Sequence, residues 1–230
     1  MSDLKPNLTY ESKTNIQFFY DNKEEADRIE TYLPEILATL KKSPFYTNDE
    51  SLVLIEKFQM PNFEFINKNF DNTGGFFLPI KQYSYYLVEP NRSFTPELTY
   101  YSHNNRYRAV IIHELTHQLI SRFYGKWFSL FFIPTWKNEG YAEYLTAQGY
   151  YSTKSELRAI LYENNISDQT LEDPFSKKRK NKYDLDDYMS AFLQTRYALD
   201  VQKISEPDFM KDAYQPASAR TIREWLANEE

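Results

Sequence analysis

His113 and His117 stand four residues apart in VIIHELTHQLI (110–120), with Glu114 between them, in a chain of 230 residues that holds only three histidines. On an α-helix, residues four apart share one face about a turn apart, so both imidazoles can reach a single cation. Glu114 sits beside that face, where its carboxylate can take a proton from a water at the metal. A chain this poor in His acquires a His-Glu-x-x-His spacing by chance on the order of one percent of the time or less. The competing reading is a structural hydrogen-bond network on a half-buried helix. Two histidines leave a catalytic zinc shell incomplete, because hydrolysis needs a third protein ligand and a water in the fourth position. PTWKNEGYAEYL (134–145) offers Glu139 as that ligand, after a gap of 21 residues from His117. Glu143 lies one turn further along the same helix face. A carboxylate there can accept the free N–H of a ligand histidine, orienting the ring and raising its basicity. The chain has no Cys, so disulfides, thiol catalysis and cysteine-held zinc are excluded and any metal rests on His and carboxylate.

HELTHQ followed by WKNEGYAEY resembles the gluzincin zinc metallopeptidases, most closely the Peptidase-MA-like and aminopeptidase-like members, whose second motif reads Asn-Glu-Gly-x-Ala-x-Tyr. The resemblance spans Ile112 to Tyr144; the rest of the chain matches only in layout. It implies Zn2+ on His113, His117 and Glu139, and Glu114 as general base. It implies an α+β, zincin-like two-lobed fold, with a mixed sheet ahead of the active helix and helices behind it. The implied activity is peptide-bond hydrolysis on a peptide or protein substrate. Aminopeptidases of this group carry a Gly-x-Met-Glu-Asn loop that anchors a free amino end. NTGGFFLPI (72–80) occupies the corresponding region without an acidic residue, which favours an endopeptidase over an aminopeptidase. A non-catalytic peptide-binding module on a peptidase fold is the reading from another class. In the resembled families an oxyanion donor follows the third ligand. Tyr183, Tyr188, Arg196 and Tyr197 are the candidates in this chain, and Tyr188 is preferred because Ala191, one turn on, would let its helix approach the cleft.

The elements that must position these residues are legible in outline. NIQFFY (15–20), SLVLIEKF (51–58), FEFINKNF (63–70) and QYSYYLV (82–88) are strand-like, and the last could receive an extended peptide by strand addition. NTGGFFLPI turns into an extended segment. Asn22 with Glu25 can form a capping box for a helix in which Pro34 predicts a kink or a restart. A helix is predicted over 105–123, another from about Lys137, one capped by Thr153 and Glu156, and others over 185–201 and 216–227, the last with Pro216 in its first turn. These place an N-terminal α/β lobe at 1–103 and the active helix with a helical lobe at 104–230, within one catalytic domain. His103 is expected at a helix cap or in a loop.

A net charge of −6 and a pI near 5.3 argue against a nucleic-acid partner. The one basic run, KKRKNK (177–182), reads as a solvated loop. No apolar run reaches the ~18 residues of a membrane-spanning helix, and the polar start MSDLKPNLTYESKTN is not a signal peptide. The compartment stays open between cytoplasm and, after removal of a signal segment, periplasm or exterior. The oligomeric state is also open. WFSLFFIP (127–134) is expected to be buried packing, with membrane-interface contact or an apolar cleft wall as the other readings.

Overall fold

The computed structural model describes residues 9–13, 15–20, 23–47, 52–57, 75–79, 82–87, 103–148, 151–176, 185–211 and 213–228. The fold is α+β. Two compact units divide the chain, Met1–Lys126 and Trp127–Glu230.

The first unit is built on a five-stranded mixed sheet in the order β1-β2-β3-β5-β4. Its strands are β1 (Thr9–Lys13), β2 (Ile16–Tyr20), β3 (Leu52–Lys57), β4 (Gly75–Leu78) and β5 (Tyr83–Leu87). The central trio β2, β3 and β5 is parallel, and β1 and β4 run antiparallel at the two ends. Leu52, Val53, Leu54 and Ile55 are all buried, as expected of a strand covered on both faces. Phe19, Val53, Ile55, Phe76 and Tyr85 form the core on one face. The register puts Phe18, Leu54, Ser84, Tyr86, Gly75 and Phe77 on the other face. The strand at 82–87 has no open edge to receive a peptide. β5 lies between β3 and β4, so its backbone is already paired on both sides. Among the described residues, β4 is the strand at that edge.

Of the kink or restart expected at Pro34, the structure has the restart: α1 (Lys23–Glu30) and α2 (Leu33–Leu40) are separate helices, with Pro34 in the first turn of α2 where its missing N–H costs nothing. Asn22 lies outside the described residues, as do FEFINKNF and KKRKNK. The long helix α3 (His103–Tyr124) includes the whole His-Glu-x-x-His segment and begins at His103 itself. It packs on β3, β4, β5 and α2. Those contacts tie α3 to the sheet within the first unit, which ends at Lys126.

The second unit is helical: α4 (Lys126–Phe131), α5 (Thr135–Thr146), α6 (Lys154–Glu163), α7 (Asp168–Glu172), α8 (Leu185–Arg196), α9 (Glu206–Phe209) and α10 (Ala219–Ala227). The Thr153–Glu156 capping box is present in both directions. The helix expected over 185–201 leaves α geometry after Arg196 and continues as a π turn, Tyr197–Val201. The last helix starts later than Pro216, because the Ser218 hydroxyl caps the N–H of Thr221. Burial of WFSLFFIP holds at Ile133 and is overturned for the large residues before it. Trp127, Phe128, Leu130, Phe131 and Phe132 are 45–68% exposed, and within α4 it is the polar Ser129 that is buried.

Candidate metal centre

The site begins with how α3 is held against the sheet. The Gln118 carboxamide accepts from the Val53 N–H at 2.8 Å and donates to the Val53 carbonyl at 3.1 Å. It thereby occupies both backbone groups as a neighbouring strand would. The same amide nitrogen donates to Ser84 Oγ at 3.2 Å, and Ser84 Oγ donates to the Glu114 carbonyl at 2.9 Å. One turn further, Gln82 donates to Ser121 Oγ at 2.7 Å. Buried polar side chains that satisfy one another in this way fix register, because a slip would orphan several of them together. Gln118 follows His117 directly, and sequence reasoning missed its role. Its partner lies 65 residues away, and no local pattern reports such a pair.

With the helix fixed, His113 and His117 present Nε2 atoms 3.1 Å apart, their ring planes inclined at 82°. Two nitrogens bound to one tetrahedral zinc at ordinary Zn–N lengths lie roughly 3.3–3.4 Å apart, so the rings fit a shared cation within a few tenths of an ångström. His117 is 7% exposed and its ring lies against Phe77 of β4, with centroids 6.3 Å apart. Glu114 is also 7% exposed. Gly75 is what allows β4 to lie this close to it. A Cβ at position 75 would stand 2.7 Å from the Tyr85 carbonyl oxygen, 2.8 Å from Val110 Cγ1 and 2.9 Å from Glu114 Cγ.

Glu139 lies on α5, half-buried. One carboxylate oxygen of Glu139 and one ring nitrogen from each of His113 and His117 lie within 4.8 Å of one another. Two histidines and one carboxylate are a donor set suited to zinc. Glu143 follows one turn along α5 and is half-buried.

Within the second unit, the other residues of the motif have structural reasons. A Cβ on Gly140 would stand 2.4 Å from Thr195 Oγ1 and 2.6 Å from the Ala191 carbonyl oxygen. Gly140 thus permits α5 and α8 to touch backbone to backbone, and the small Ala191 does serve a close approach, to α5. Tyr144 donates to Asp200 Oδ1 at 2.9 Å, Arg196 pairs with Asp200 Oδ2 at 2.7 Å, and the Arg196 guanidinium lies 5.9 Å over the Tyr144 ring. Burial first, then the Asp200 charge, drives the Tyr144 phenol well above its ordinary value, so it remains a donor. Lys137 is fully buried with Nζ donating to the Lys211 carbonyl, among the rings of Trp136, Phe209 and Tyr214.

The four oxyanion-donor candidates separate. Arg196 pairs with Asp200 and Tyr197 packs on Trp225, ring centroids 5.5 Å apart. Tyr183 lies outside the described residues. Tyr188 is half-buried and meets Phe175 edge-on at 4.9 Å. Tyr188→Phe keeps that ring contact, so thermal stability and zinc content should hold. If the hydroxyl steadies an oxyanion, kcat should fall on the order of 10- to 1,000-fold; unchanged kcat leaves Tyr188 a packing aromatic.

No known family profile matches the chain, and no curated protein is significantly similar to it.

Proposed function

We propose that the chain is a zinc-dependent endopeptidase of the gluzincin type, built on the zincin-like two-lobed plan. The convergence of His113, His117 and Glu139 ligand atoms within 4.8 Å carries this reading. A zinc ion in that shell would supply Lewis acidity toward a scissile carbonyl and an activated water. Glu114, one position from His113 and shielded by β4, takes the proton of the attacking water and returns it to the leaving amine. Glu143, one turn from Glu139, accepts the free N–H of a ligand histidine and so orients its ring. Among the described residues β4 is an edge strand, where an extended peptide can add alongside Phe77 and His117.

Two measurements on the whole chain test the proposal. Metal analysis should find about one zinc per chain, lost in the double variant His113→Ala, His117→Ala. A library of peptides with blocked amino ends should be cleaved internally. Cleavage restricted to free-amino peptides would replace the endopeptidase with an aminopeptidase. Bound zinc without any hydrolysis would favour the peptide-binding module.

A further inference from the structure

Helix α4 is inverted with respect to an ordinary surface helix. Its buried position is Ser129, while Trp127 is 55%, Phe131 68% and the adjoining Phe132 65% exposed. At 100° per residue, Leu130, Trp127, Phe131, Phe128 and Phe132 sweep an arc of about 200°, with Ser129 on the opposite side. The side chains are ordered into two stacks, Trp127 on Phe131 at 6.0 Å and Phe128 on Phe132 at 5.2 Å. They form a convex aromatic ridge, not a groove.

Charge separates this stretch from the rest of the molecule. The chain carries a net −6, yet residues 115–138 hold no Asp or Glu and three basic residues, Arg122, Lys126 and Lys137. Lys137 is buried, whereas Lys126 is exposed at the start of α4. A bulky apolar ridge with the exposed Lys126 at its base, in a stretch without carboxylates, matches an anionic lipid surface, in which aromatic rings sit at the headgroup level and cations face lipid phosphates. A second copy of the chain fits less well. Five half- to two-thirds-exposed side chains of this size offer on the order of 500 Å², short of the ~800 Å² each partner gives a stable dimer.

We infer that α4 and Phe132 form an interfacial anchor that docks the protein on anionic phospholipid, lying in the headgroup region without spanning the bilayer. No helix among the described residues is long and apolar enough to cross a membrane.

The test uses the full chain, sedimented with vesicles of phosphatidylcholine alone and of phosphatidylcholine with phosphatidylglycerol, and needs no hydrolysis. The wild type should bind the anionic vesicles, with Trp127 emission shifting to the blue. Phe131→Ser with Phe132→Ser should weaken binding on the order of tenfold or more. These side chains are exposed, so circular dichroism and Tm should be unchanged. Lys126→Glu should cost roughly fivefold or more, on anionic vesicles only. Absence of vesicle binding, or binding indifferent to the double serine variant, overturns the inference. Self-association that the double variant relieves, without vesicle binding, assigns the ridge to a second copy and also overturns it.

Discussion

Glu114→Gln should retain a full complement of zinc and the wild-type Tm while losing hydrolysis on the order of 10²-fold or more. Glu114 is not one of the three converging ligand groups, so its change leaves the metal shell intact. Gln is also nearly isosteric, which matters beside Gly75, where even a Cβ would stand 2.9 Å from Glu114 Cγ. What Gln removes is the ability to accept and release a proton. The loss should therefore appear in kcat more than in KM. Turnover near the wild-type value in a zinc-replete variant would remove Glu114 from the mechanism. A loss of zinc alongside activity would instead make it a ligand or a support for one.

Gly140→Val is the second large effect, and it is structural. In a solvent-exposed helix, replacing Gly with Ala stabilises by roughly 1 kcal/mol. At position 140 the sign should reverse. Any Cβ meets the Ala191 backbone, which cannot rotate away as a side-chain tip would. Over-packing of this kind costs about 1–3 kcal/mol, and the two extra methyl groups of Val raise the cost above that of Ala. Thermal denaturation should show Tm falling in the order wild type, Ala, Val, by roughly 2–4 °C for each kcal/mol. Because Glu139 adjoins Gly140, zinc content should fall in the same order. A stabilised Gly140→Ala variant would mean that α5 and α8 do not touch at that point.

The parts of this fold that were legible in the sequence are those with local causes. The β-branched and aromatic runs at 16–20, 52–57 and 83–87 form strands, the uninterrupted stretch around HELTH forms one helix, and Thr153 with Glu156 caps another. The spacing of His113 and His117 also belongs to this class, since helix geometry alone brings their rings together. What was not legible depends on partners distant in sequence. Strand order is one example: nothing within YSYYL reveals that both of its edges are occupied. The Gln118 clamp is another. The ridge at 127–132 failed for a different reason. An apolar run signals a preference for leaving water, and it does not say whether protein or another apolar phase will take it.

The Gln118 clamp makes the Val53 amide proton unusual. It lies within a central strand, yet its acceptor is the tip of a side chain on another element and not a strand neighbour. Its exchange with deuterium from solvent therefore requires α3 to part from β3, and not merely the sheet to fray. That single proton reports the free energy that keeps the two histidines seated against the sheet, and any ligand that tightens their seat should slow its exchange without altering the protection of β1 at the far edge.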